Sequence, residues 1–397
     1  MIHRVILYLI LGVDALILIL QTSTISISYH EASLLYGDFS LLQLIIKSSL
    51  YLFGQNDLAL RLPMIVFHML SVLLMYAISK KYLKDDRNRV WLALFFILLP
   101  GVLSSALLVD SAGFIIFGLL LFVYVYENYS KKYSSILLAV LSVLDGGFIY
   151  LFFGLLFFSF YSRDKIFFIV NMVLFLLSMY LYGIKTEGLP EGYFLDSIGL
   201  YSAVFTPIVF VYIFYILYRR FLTKEIDMLW FISAIVFLFS LLLSFRQNIY
   251  IENFAPYVIL ALPLAAQTFY SSYRVRLKMF RTRYKTLFIV SLIFLIFNSL
   301  VVFFNKEIYL FIEKPKKHFA YKMHVVKELA EALKEKGILC ANTDNDMSKR
   351  LKFYGVQKCD MYDLIEEDTK IIKADNVTIR YKNKPIYTAC VTKINIK

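Results

Sequence analysis

Acidic charge is scarce in this sequence: 29 Asp+Glu stand against 42 Lys+Arg in 397 residues, and only 18% of the chain is charged, below the roughly 25% of an ordinary soluble domain. Cysteine is scarcer. The three that occur, Cys340, Cys359 and Cys390, all lie in the tail, so any disulfide is confined there. One bridge with a spare thiol and three unpaired thiols both fit, and the pairing is not readable from spacing. No CxxC pair and no His/Cys spacing points to zinc.

What fills the chain instead is apolar. Hydrophobic residues make up 60% of it, with 37 Phe, 30 Tyr and a mean hydropathy of +0.68, well above the about 45–50% of a soluble domain. The sequence reads as a polytopic membrane protein. Its basic residues cluster in short segments between apolar runs, as the positive-inside rule requires. The net charge of +13 therefore reports topology and not a nucleic-acid partner.

Runs of about 20 apolar residues, the length a helix needs to cross a bilayer, place spans near 5–22, 62–79, 90–107, 112–126, 133–144 with 148–161, 166–183, 200–218, 228–245, 253–270 and 286–304. The first run carries Asp14 in its middle and is followed by no convincing small-residue cleavage site, so it is expected to be retained. Basic flanks at Arg4, Lys80 to Arg89, Lys131 and Lys132, Arg163 and Lys165, Arg219 to Lys224 and Arg274 to Lys285 all fall on one side if 133–161 returns to the side it left. Straight, that segment would be about 43 Å long, and Asp145-Gly146-Gly147 divides it. It reads as two short helices in a hairpin. The expectation is an all-α protein of about 11 spans, multi-pass in the cell (inner) membrane, with a cytoplasmic amino terminus.

Two domains follow from the change in composition: a membrane module over 1–305, and over 306–397 a small α/β domain on the extracytoplasmic (periplasmic) side. There "HVVKELAEALKEKG" reads as an amphipathic helix closed by Gly337, and "VTIRY" and "PIYTACVTKINI" read as strands.

Carboxylates in so apolar a chain mark candidate sites. His30, Glu31 and Asp38 open the first outer loop, and "FSLLQLIIKSSLYLFG" follows as an interfacial helix with Ser40, Gln43 and Lys47 on one stripe. Asp110 sits between the third and fourth spans, where it either belongs to the same site or caps the fourth helix with Ser111. Lys47, Arg61 and Arg246 are outward cations that break the basic trend. Arg246 suits a phosphate best, since Arg holds it with two parallel hydrogen bonds; at a helix end it also suits plain snorkelling. His68 reads as a packed helix-interface histidine. Glu187, Glu191 and Asp196 form a later outer loop that either meets an acceptor or is simply solvated.

The order of these pieces resembles the GT-C superfamily glycosyltransferases of family 39 and the aminoarabinose-transferase type. "YHEASLLY…LFGQNDLALRLPMIVFHMLSVLLMY" is similar to their first outer loop and second helix, and "LLVDSAGFIIFGLLLFVY" to their second-loop acid. "LSVLDGGF" stands where they carry a Leu-Thr-Lys-Gly-Pro turn, and "SFRQNIYIENFAPYVILALPLAA" resembles their Arg/Lys-x-x-Tyr…Pro…Pro segment. The likeness covers roughly residues 1–305. It implies transfer of a sugar, with inversion, from a polyprenyl-phosphate donor to a lipid, glycan or protein acceptor on the outer face. The family's acidic pair falls on His30 and Glu31, with His30 in place of the first acid, and its second acid falls on Asp110. Glu31 is the expected base; Arg246, Arg61 and Lys47 are phosphate partners, and Asp38 and Glu252 sugar or acceptor contacts. No metal ligands are assigned. Some members use a divalent ion and others do not, so that cofactor stays open. A lipid or polysaccharide transporter and a non-catalytic GT-C homologue are the alternatives; no pair of broken helices in two matched halves favours transport.

Overall fold

The computed structural model describes residues 2–184, 192–367 and 376–393. Along the chain α1 (Ile2–Thr22), α2 (Tyr29–Tyr36), α3 (Leu41–Phe53) and α4 (Asp57–Tyr82) precede a bent pair, α5 (Asp86–Leu98) and α6 (Pro100–Leu107). Then come α7 (Ser111–Asn128), α8 (Lys131–Leu144), a 3-10 turn at Gly146–Phe148, α9 (Ile149–Tyr161) and α10 (Lys165–Tyr182). A second bent pair, α11 (Phe194–Phe205) and α12 (Pro207–Thr223), leads to α13 (Met228–Ser244), α14 (Ile251–Ile259), α15 (Leu262–Val275) and α16 (Lys278–Phe303). The tail holds α17 (Val326–Glu335), α18 (Asn345–Phe353), β1 (Tyr362–Glu367), β2 (Asn376–Tyr381) and β3 (Lys384–Lys393).

Among the described residues six helices are long and apolar enough to cross a membrane, or eight if each bent pair is one span; Leu41–Phe53, Gly146–Tyr161 and Met228–Ser244 are shorter apolar helices. Every expected span falls on helix, and the 133–161 segment divides at Asp145 into α8 and α9 as its Gly-Gly suggested. Two expected spans are not straight. α5 and α6 meet at 62° and α11 and α12 at 106°. Pro100 and Pro207 each open the second helix of the pair, where a missing N–H costs nothing and the residue before is pushed out of helical geometry. Leu99 is extended accordingly, and Thr206 takes φ 65°.

The chain forms two compact units. The first comprises Met1–Leu16, Ser40–Leu42 and Met64–Ser299. Its core is packed from Val72, Phe96, Phe122, Phe152, Ile232 and Tyr257, all buried. A Cβ on Gly154 of α9 would stand 3.0 Å from the Ile232 Cα of α13, so the two backbones approach as only a small residue permits. Buried hydroxyls are returned to their own helices, Ser233 to Leu229 O and Ser240 to Phe237 O, which hides polar groups where no water is available.

The second unit comprises Ile17–Phe39, Gln43–Pro63 and Leu300–Lys397. Its antiparallel sheet has the order β1-β3-β2, and Leu364, Ile379 and Tyr387 of the sheet pack with Leu329, Leu333 and Leu351 of α17 and α18. Gly337 ends α17 at φ 75°, the left-handed geometry that suits glycine. Cys340 and Cys359 form the disulfide, with Cα atoms 5.4 Å apart, and Cys390 is the spare thiol.

Candidate functional site

The acidic stretch after α1 is folded around one buried arginine. Ser28 caps α2: its hydroxyl accepts from Glu31 N, and its own N–H donates to Glu31 Oε2 at 2.8 Å, a reciprocal cap that fixes the carboxylate. Arg61 of α4 closes on it. Nε donates to Glu31 Oε1 at 3.2 Å and Nη2 to Oε2 at 3.0 Å, while Nη1 reaches Ile25 O at 2.7 Å and Thr22 O at 3.3 Å, and Nη2 also reaches Ser26 O at 3.0 Å. Side-chain exposure is 0% for Arg61 and 1% for Glu31. A charge buried so completely stands only when paired and fully bonded, and both are.

The segment Ser26–Ser28 is also held from the tail. Met323 O accepts from both the N–H and the hydroxyl of Ser26 at 2.8 Å, and Arg350 Nε donates to Ile27 O at 3.1 Å. The Tyr354 hydroxyl accepts from Ile27 N at 2.9 Å and donates to Asp57 Oδ1 at 2.5 Å, and Lys327 pairs with Asp57 Oδ2 at 2.9 Å. Burial, with the Asp57 carboxylate beside it, pushes the Tyr354 hydroxyl well above its ordinary range; burial brings Arg350 down to about 10. No local signal in the sequence joins residues 26–28 to residues nearly 300 positions later.

The other loop residues separate. His30 and Asp38 are exposed, and so is Lys47 on α3. Gln43, expected on the same polar stripe as Lys47, is buried with its amide donating to the carbonyls of Leu34, Leu35 and Gly37. Its role is to close the loop that precedes α3.

In the first unit, Asp110 caps α7: Oδ1 accepts from Ala112 N at 2.9 Å. Ser111 next to it donates to Asn253 Oδ1 at 3.4 Å, which brings the start of α7 to the start of α14. Glu252, in the first turn of α14, is half-buried. Arg246 is exposed in the turn after α13 and makes no side-chain hydrogen bond or ion pair among the described residues. Asp145 caps the 3-10 turn through Gly147 N at 2.7 Å. Asp196 is exposed on α11, while Glu187 and Glu191 lie outside the described residues. His68 does pack at a helix interface, and the structure adds its partner, Asp14 of α1; the sequence noted each separately.

Comparison with solved structures finds ArnT from Cupriavidus metallidurans in two states. The apo form matches with a TM-score of 0.56 at 13% identity over 88% of this chain and 84% of that chain. The form bound to undecaprenyl phosphate matches with 0.57 at 12% over 88% and 85%. The chain has an ArnT-like fold. No family model and no curated protein matches the sequence, so the likeness to the ArnT-like fold lies in the arrangement of helices and not in residue identity.

Proposed function

We propose that this protein is a multi-pass membrane glycosyltransferase that takes a sugar from a polyprenyl-phosphate donor and passes it, with inversion, to a lipid, glycan or protein acceptor on the outer face of its membrane. The observation that carries the reading is the ArnT-like fold over 88% of the chain, in a neighbour solved with undecaprenyl phosphate bound.

In the reaction a base takes the acceptor proton as the acceptor oxygen or nitrogen bonds to the anomeric carbon. The bond from that carbon to the phosphate oxygen breaks on the opposite side, and the polyprenyl phosphate leaves. A base needs an open lone pair within reach of the acceptor. Glu31 offers the right chemistry, but three bonds from Arg61 and Ser28 occupy much of its carboxylate, and a carboxylate has about four acceptor sites. Its bonding supports a role in ordering the loop, with the exposed imidazole of His30 on the adjacent position as the base. Arg61, whose guanidinium is committed to Glu31 and three carbonyls, reads as the counter-ion of that carboxylate. Exposed Arg246, in the other unit, is by itself a better candidate cation for a phosphate than Arg61, and Asp110 reads as the cap of α7.

The experiment is transfer of radiolabelled sugar from a mixed pool of polyprenyl-phosphate sugars in membranes, comparing wild type with His30→Ala, Glu31→Gln, Asp110→Asn and Arg246→Gln at equal expression. The reading expects transfer by wild type and its loss in His30→Ala and Arg246→Gln. Absence of transfer by wild type from every donor would favour a non-catalytic GT-C homologue, the second reading that His30 and the occupied Glu31 support.

A further inference from the structure

The first unit holds an apolar chamber and a basic cavity. The first, about 90 Å³, is walled by aromatic rings from four helices: Trp91 and Phe95 of α5, Tyr212 of α12, Phe269 of α15 and Phe288 of α16. The only hydroxyl of a serine in its lining, that of Ser291, is already given to Leu287 O. The second cavity, about 360 Å³, is lined by Arg219, Ser271, Ser272, Val275 and Arg276, with no carboxylate among them.

Two helices, α12 and α15, contribute to both. Tyr212 and Arg219 on α12 are seven residues apart, as are Phe269 and Arg276 at the end of α15. Seven residues are two helical turns, so each arginine follows its aromatic on one face about 10 Å along the axis. The cations are at hand. Arg219 meets the Ser272 hydroxyl at 3.4 Å, and the guanidinium of Arg276 lies 4.4 Å from the centre of the Tyr284 ring; neither has an acidic partner among the described residues. Their neighbour Arg220 is different, being bonded to Gln267 and Glu225 O.

We propose that the two cavities form one binding site for an anionic glycerophospholipid, its headgroup phosphate between Arg219 and Arg276 with the Ser272 hydroxyl, and part of an acyl chain in the aromatic chamber. Guanidinium groups hold phosphate with paired hydrogen bonds, and basic pockets between membrane helices are the usual seats of anionic lipids. Plain positive-inside charge would give cations at helix ends but no apolar chamber two turns away on the same helices. The occupant is distinct from the polyprenyl donor. By the positive-inside rule these basic ends face the cytoplasm, whereas the proposed transfer takes place on the outer face, so the site stands or falls independently of the enzymatic reading.

The test is lipid retention by the full-length protein in detergent, read by native mass spectrometry with phosphatidylglycerol and phosphatidylcholine of identical chains. Wild type is expected to retain phosphatidylglycerol preferentially. Arg219→Gln with Arg276→Gln should weaken that retention about tenfold or more, the scale of losing one charge-assisted hydrogen bond. Lys80→Gln with Lys84→Gln, which removes equal charge outside the pocket, should leave it unchanged. Ala266→Phe, which fills the chamber without altering charge, should reduce it. Equal retention of both lipids, equal loss in the Lys80/Lys84 control, or no effect of Ala266→Phe would overturn the proposal. So would displacement of phosphatidylglycerol by equimolar undecaprenyl phosphate.

Discussion

Nε2 of His68 lies 2.8 Å from Oδ2 of Asp14, and both side chains are buried between α4 and α1. The pair lies within two spanning helices, where an unmatched polar group has no water to turn to. Removing one partner orphans the other.

Asp14→Leu or His68→Leu alone should therefore lower stability by about 1–3 kcal/mol, the cost of a buried unsatisfied polar group. The double apolar variant should recover much of the loss. Thermal unfolding in detergent across the four proteins measures the coupling, and strictly additive losses would show that the contact contributes nothing.

Arg61→Met should destabilise the second unit by about 3–5 kcal/mol, because it strands the Glu31 carboxylate and the carbonyls of Thr22, Ile25 and Ser26. The predicted signature is faster amide exchange over residues 22–36 by mass spectrometry. Arg61→Lys keeps the charge without the fork and should fall between.

The tail carries a pH dependence of known sign. Burial lowers His324 to about 3, with the positive charge of Lys306 and the nearby His318 adding to the effect, and burial likewise lowers His318. His318 Nδ1 accepts from Ala320 N and Nε2 faces Asn305 O, an arrangement of the neutral ring. Between pH 6.5, the ordinary histidine value, and about 3 the unfolded chain binds more protons than the folded one. Stability is thus fully present above about pH 6.5 and declines as pH falls toward 3. Amide exchange over 306–340 should accelerate through that window in wild type and less in His324→Gln.

Reducing the Cys340–Cys359 bridge, which closes a separation of 19 residues, should cost about 3 kcal/mol. Mild thiol alkylation before reduction should label Cys390 alone; labelling of all three cysteines by native protein would contradict the pairing.

The spans were legible because apolar run length is a local property, and the break at Asp145 announced itself by its glycines. The bends at Pro100 and Pro207 carried a local signal as well, but an apolar run masks it. Arg61 looked like an outward cation awaiting phosphate, since nothing near it in sequence reveals that Glu31 and three carbonyls surround it. Asp110 was readable only as a choice between site and cap, and the capping bond to Ala112 is present. Met323, Arg350 and Tyr354 were beyond any sequence reading, because a hydrogen bond to residues 26 and 27 leaves no trace in periodicity or composition.

The bond from Ser26 to Met323 spans 297 residues, and this has a bearing on biogenesis. At a synthesis rate of about 5–20 residues per second, that separation corresponds to roughly 15–60 s on the ribosome. Throughout this interval the backbone after the first helix waits without the carbonyl and the hydroxyl that complete its hydrogen bonding. Chains that stop before residue 323 should be displayed to membrane quality control with that segment unmatched, which makes the last quarter of the protein a checkpoint on its first loop.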